Sequence, residues 1–220
     1  MSTQQEPVIR AVRRALSAAR LSTFERAVVA KSVEDPAPLG LYTWNAVISG
    51  SLLAPLQVCE VIVRNAVSDA LESIYGSEWP WNASFEGSLP HGRKSDLLEA
   101  RKAAEGTDTV IPQLSFFFWQ SLFTARHDER IWTPWIDVVF PNYTSRLPSR
   151  IKRKNIYDEL EQIRRLRNRI AHHEPIFMRN LSDDYRKITH VVALRCAITA
   201  HWLNSFQTFS QQLTLRPALS

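Results

Sequence analysis

Apolar side chains recur every three or four residues along most of this chain, and no series of strand-like alternation interrupts them. The pattern predicts opening helices at 8–19 and 22–33, the second with Ser22 as N-cap and Glu25 three residues on. Pro36 and Pro38 then break the chain. A strong helix follows at 55–75, with Val63, Val67, Ala70, Leu71 and Ile74 on one stripe and Gly76 as its stop. The stretch 79–92 reads as an ordered loop, and 95–104 as a short amphipathic helix. Pro112 marks a helix start before Leu114, Phe117, Phe118, Ser121 and Leu122. The chain is irregular from His127 to Pro148, apart from a short helix near Trp135. Ile156, Leu160, Ile163, Leu166 and Ile170 stripe a helix at 155–173, which Pro175 ends. Ser182 caps the last and longest helix, carrying Ile188, Val191, Val192, Arg195, Ile198, Trp202 and Phe206, and the tail from Gln211 frays.

These elements predict an all-α fold in one domain over 1–220, with 1–35 and 208–220 resting on composition alone. The content of 45% hydrophobic and 22% charged residues is that of a globular protein with a full-sized core. Six glycines, none in a phosphate-binding loop pattern, argue against Rossmann and P-loop nucleotide folds. Cys59 and Cys196 lie in apolar helical patterns and read as small buried hydrophobes of a reducing compartment. The polar, then arginine-rich N-terminus is no secretory signal. The densest apolar runs, 51–56, 59–63 and 116–119, fall short of the roughly 20 residues that cross a bilayer. A cytoplasmic protein with no membrane partner is the expectation.

Charge changes the picture more. The net charge is +5, and Arg146, Arg150, Lys152, Arg153, Lys154, Arg164, Arg165, Arg167 and Arg169 crowd one stretch. The planar guanidinium suits phosphate, so a polyanion such as RNA is the natural partner, with Arg150, Lys152, Arg153, Lys154, Arg164 and Arg169 as candidate contacts. A solvated helix face is the plainer reading of the same run.

The segment 164–175 ends a helix and carries the candidate chemistry. Asn168 and His172 share a face four residues apart, while Arg167 sits about 140° from His172 and reaches round the axis with a long side chain. A histidine, whose ordinary pKa lies near neutrality, can take a proton from a ribose 2′-hydroxyl or return one to the leaving oxygen. An arginine can stabilise a phosphorane-like transition state, and an asparagine can orient the phosphate or the histidine. The set Arg167, Asn168 and His172 therefore suits RNA cleavage without metal or other cofactor. Helix-terminal Arg and His also complement the helix dipole, which needs no catalysis.

Arg167-Asn168 followed by His172 resembles the signature of the HEPN class. Its flanks, 166–176, resemble the most recognisable stretch of the Abi-like (abortive-infection) family within that class. Glu60, Arg64 and Asn65, followed by Tyr75-Gly76 and Trp79, resemble that family's Glu-x-x-x-Arg-Asn helix. Leu114-Ser115-Phe116 with Trp119 and Leu122 resembles its central helix, with Trp132 and Phe140-Pro141 in order behind it; Phe117 stands where a glycine is expected. The resemblance spans roughly residues 40–180. It implies a HEPN-like helical bundle with additional helices and a homodimer whose motifs meet in a composite site. It also implies an endoribonuclease acting as a toxin or phage-defence effector, with an antitoxin or regulatory protein left open as a further partner. By the same resemblance Glu60, Arg64 and Asn65 line the cleft beside the motif; the bare spacing of Glu60 and Arg64 equally makes an ordinary (i, i+4) ion pair. His173 assists His172 or caps the helix.

Other classes fit less well. Adjacent His172, His173 and Glu174 point about 100° apart and do not share one ion, and His-Glu-x-x-His is absent. His91, His127, His190 and His201 are scattered. Membrane CAAX-type proteases pair glutamates ahead of an arginine, but Glu60 and Arg64 lack the second glutamate. A non-catalytic module binding RNA, a nucleotide or a protein is the alternative. In it the aromatics of 116–119, Trp132 and Trp135 stack bases, where the plainer reading makes them core or dimer interface.

Overall fold

In the computed structural model, which describes residues 5–102 and 104–219, twelve α-helices succeed one another and no strand occurs among the described residues. The fold is all-α. The chain divides into two compact units, one holding the residues up to Ala54, Asn168–Leu181 and the residues from Gln207, the other Pro55–Arg167 and Ser182–Phe206.

The first unit opens with α1 (Gln5–Leu16) and α2 (Ala18–Ala27). Ser17, not Ser22, caps α2: its hydroxyl accepts from the Arg20 N–H at 3.4 Å, and its own φ is 71°. The next helix, α3 (Ala37–Tyr75), begins eighteen residues before the expected start at Pro55. Asp35 supplies the reason, accepting from the Ala37 N–H at 2.9 Å, and Pro38 is tolerated in a first turn whose N–H groups have no helical partner. Leu41, Trp44, Ile48 and Leu52 then bury one stripe against Leu21, Phe24, Ile176, Phe177 and Phe209 of the same unit's core. The Phe24 ring meets Tyr42 edge-on at 5.1 Å and Phe177 at 5.2 Å. The C-terminal segment does not fray at Gln211. It forms α12 (Phe209–Thr214), held by the Trp44 indole donating to the Gln212 carbonyl at 2.9 Å and by Arg216 donating to the Phe177 carbonyl at 2.7 Å.

The second unit takes α3 from Pro55 on, where the ring removes an N–H from the helical ladder. The expected loop at 79–92 is instead a 3₁₀ turn (Trp79–Trp81), α4 (Ala83–Ser88) capped by Asn82, and the start of α5 (His91–Arg101). After α6 (Thr107–Val110) comes α7 (Phe116–Ser121), whose N-cap Ser115 accepts from Phe118 N at 3.2 Å. A π-turn over Asp128–Trp132 leads into α8 (Thr133–Val139). Trp79, Phe85, Phe118, Trp119, Phe123, Trp132 and Phe140 are fully buried. Each indole N–H among them is satisfied: Trp79 donates to Ser68 Oγ, Trp119 to the Leu114 carbonyl and Trp132 to the Leu122 carbonyl. Phe116, Phe118, Trp119 and Trp132 are thus core, not base-stacking surface. Phe117 faces outward between them, so a ring at this position disturbs no packing.

The long helix α9 (Ser149–Ala171) buries Ile156, Leu160, Ile163, Leu166 and Ile170 as the stripe requires. The expected final helix is two, α10 (Leu181–Arg195) and α11 (Ala197–Phe206), and the longest helix among the described residues is α3. Ser182 lies inside α10 and caps nothing. The α10 stripe of Ile188, Val191 and Val192 is buried, but past the break at Cys196 the inward residues are Ala200 and Leu203, leaving Ile198, Trp202 and Phe206 exposed. Cys59 is buried, and burial pushes its thiol pKa well up, whereas Cys196 is only half-buried. One helix among the described residues, α3, is long and apolar enough by length and composition to cross a membrane, which corrects the reading that no segment approaches that length. Within these units its apolar stripe serves as core.

Candidate functional site

The last turn of α9 closes with a Schellman arrangement. The His173 N–H bonds the Ile170 carbonyl at 3.0 Å, the Glu174 N–H bonds the Arg169 carbonyl at 2.7 Å, and His173 itself adopts φ 55°. Glycine is the usual residue at this left-handed position, because a Cβ crowds the carbonyl. His173 is therefore the helix cap, by its backbone, with its side chain left exposed. The turn is fastened twice more. The Arg169 guanidinium donates from Nε and Nη2 to the Pro175 carbonyl at 3.1 and 2.7 Å and lies 3.4 Å from Glu174. Asn45 of α3, 5% exposed, accepts the Ile176 and Phe177 N–H groups on its Oδ1 at 2.8 and 3.2 Å.

His172 sits one residue before the cap, its N–H bonded to the Asn168 carbonyl at 2.9 Å. Its imidazole is exposed and has no partner among the described residues. Asn168 is half-buried one turn earlier. Arg167 belongs to the other unit, where its Nε stands 3.9 Å from Glu60 Oε2, with the two side chains 46% and 28% exposed. Glu60 and Arg167 are 107 positions apart in the sequence, and the fold brings them together. Arg64, one turn along α3, is half-buried, and its Nε lies buried with no hydrogen-bond partner among the described residues. Asn65 is not brought to this group. It lines a separate cleft with Asp69, Glu72, Glu78, Asp108 and Arg195, a lining with more acids than bases.

The six cationic residues expected to touch RNA divide sharply. Lys152 is 6% exposed, with Nζ 2.6 Å from Asp137, and Arg153 is 9% exposed, gripping both Asp128 oxygens at 2.8 and 3.0 Å. Arg153 and Asp128 form a mostly buried pair and Lys152 pairs with the exposed carboxylate of Asp137; both hold α9 to the segments 128–139, and neither cation is exposed to a ligand. Arg169 is spent on the Pro175 turn. Arg164 donates to Glu161 at 2.9 Å and lays its guanidinium 5.0 Å from the Phe117 ring, which Arg93 also covers at 4.4 Å. Glu161 shows why that link is firm: burial raises its carboxyl pKa, but hydrogen bonds from Gln120, Arg165 and Arg164 outweigh burial and hold it low. Only Arg150 and Lys154 of the six are exposed, and Lys154 pairs with Asp158.

Of the remaining histidines, His127 is 2% exposed and burial drives its pKa down to about 4, a structural residue kept neutral. His190 meets both Glu159 carboxylate oxygens at 2.8 and 3.0 Å, and that hydrogen bonding raises its pKa. Sequence reasoning missed Asn45, a buried polar residue in an apolar run; a lone asparagine amid Trp44, Ala46, Val47 and Ile48 was the available signal. Compared with family models, curated proteins and solved structures, the chain matches none.

Proposed function

We propose that this chain is a metal-independent endoribonuclease of the HEPN class, an Abi-like cytoplasmic effector of the toxin or phage-defence type that works as a homodimer. One observation carries the reading: Glu60 of the Glu-x-x-x-Arg-Asn helix stands 3.9 Å from Arg167 of the Arg-Asn…His motif, the neighbour relation the resemblance implies. An exposed, unpartnered His172 imidazole at the end of the same helix supports it.

In this reading His172 removes the proton of a ribose 2′-hydroxyl. O2′ bonds to phosphorus, the P–O5′ bond breaks, and O5′ takes back the proton held by the imidazole, giving a 2′,3′-cyclic phosphate and a 5′-hydroxyl. Arg167 holds the non-bridging oxygens as their charge grows, and Glu60 orients its guanidinium. Asn168 positions the phosphate or the imidazole. With Lys152, Arg153 and Arg169 committed internally, RNA contact falls to Arg167, Arg150 and Lys154.

The test is cleavage of total cellular RNA and tRNA by wild type and His172→Ala in the presence of EDTA. The reading predicts cleavage by wild type alone, with RNA binding retained in the variant. Two inert proteins that bind RNA equally would replace it with the binding-module reading.

A further inference from the structure

The first unit contains a cavity of about 360 Å³ formed by α2, one face of α3 and the end of α9. Arg20, Tyr42, Asn45, Ser49, Gly50 and His173 give it its chemistry. Its size sits at the small end of ligand pockets, room for a single compact unit. No carboxylate lines it. Arg20 has no carboxylate partner among the described residues and lies 5.8 Å from the Tyr42 ring, unlike Arg13, Arg153, Arg164 and Arg169, each of which faces an acid. A half-buried guanidinium with no carboxylate beside it is free to take an anion. On the α3 side Ala46 and Gly50, one turn apart, and Leu53 line the cavity, small and apolar residues that leave room for a ring. The Tyr42 and Ser49 hydroxyls and the Asn45 amide supply hydrogen bonds around it. Asn45 Oδ1 is already taken by two backbone N–H groups, which fixes its amide nitrogen as the remaining donor.

From this we infer that the cavity binds one nucleotide, its phosphate on Arg20 and its base over the Ala46–Gly50 floor. That the bound unit is a nucleotide of the RNA being cut, next to the reacting phosphate, rests on the ribonuclease reading. The nucleotide site itself rests on the cavity alone. His173 links the two: its backbone ends the helix that carries His172, and its side chain lines the cavity.

Gly50 provides a clean test. A Cβ there meets nothing within 4 Å, so Gly50→Leu sets its side chain out from the cavity lining into open space and improves the helix. Binding of adenosine and uridine 5′-monophosphate to wild type, Gly50→Leu and Arg20→Gln is measured by calorimetry, with inorganic phosphate as reference and thermal melting as a fold control. The site predicts binding to wild type tighter than inorganic phosphate. It predicts about tenfold or greater weakening in each variant, and a Gly50→Leu melting temperature no lower than wild type. Absence of nucleotide binding to wild type, or equal binding by Gly50→Leu, overturns the site. RNA cleavage separates the two proposals. A wild type that binds nucleotide but cuts no RNA keeps the site and drops the ribonuclease. A wild type that cuts RNA with the same KM as Gly50→Leu keeps the ribonuclease and drops the substrate role.

Discussion

Replacing Asn45 by alanine removes the acceptor that ties the segment after α9 to α3. Its Oδ1 takes the Ile176 N–H at 2.8 Å and the Phe177 N–H at 3.2 Å, and both of those residues are fully buried. Water cannot replace the lost oxygen without opening this core, so each N–H bears the cost of an unmet buried donor, about 1–3 kcal/mol. The sum is ~2–6 kcal/mol, and for a chain of this length each kcal/mol moves the melting temperature by about 2–4 °C. Asn45→Ala is therefore expected to melt roughly 4–24 °C below wild type, with a matching fall in the urea midpoint at unchanged slope. Asn45→Asp keeps an oxygen acceptor and should recover a large part of the loss at neutral pH. An alanine variant within about 0.5 kcal/mol of wild type would refute the reasoning, because it would mean that the two N–H groups find other partners.

Further expectations follow from the same interactions. His173→Gly relieves the left-handed strain at the helix cap and should stabilise by ~0.5–1 kcal/mol in urea titration. Arg153→Met strands Asp128 in a mostly buried site and should cost about 3–5 kcal/mol, whereas Arg150→Ala should change stability by less than ~0.5 kcal/mol yet lower the salt dependence of RNA binding. His127, with a pKa of about 4 when folded, takes up its proton more readily when unfolded. Stability should thus rise with pH between about 4 and 6.5, by up to ~3 kcal/mol, and His127→Phe should flatten that slope. The Glu159 pairing raises the His190 pKa, so its contribution is complete below the unfolded value near 6.5 and fades as pH rises through the folded one; Glu159→Gln should abolish that loss in pH-dependent melting.

Much of α9 was legible because its apolar stripe is continuous, and only its first turns, 149–154, were missed. Those turns bury Lys152 and Arg153, whose partners Asp137 and Asp128 come from elsewhere in the chain. A local pattern sees only charge there and reads surface. The first half of α3 was hidden by Pro36 and Pro38, which look like breakers. Yet Asp35 caps the helix and Pro38 falls in its tolerant first turn. The opposite error occurred at Ile198, Trp202 and Phe206, whose helical spacing is real but faces outward. At the candidate site, the motif at 167–172 and its neighbour Glu60 could be read from residue types. The Schellman cap and the tie to Asn45 could not, because they depend on a φ angle and on a contact 131 positions away.

The central claim is 2′-hydroxyl chemistry at His172, and it is tested most directly by single-turnover cleavage of one RNA and its 2′-deoxy counterpart by wild type and His172→Ala. The account predicts cyclic-phosphate ends from RNA, no cutting of the deoxy strand, and a loss of about 10²–10⁴-fold in the variant. Cutting of the deoxy strand, or equal rates for wild type and His172→Ala, would contradict it.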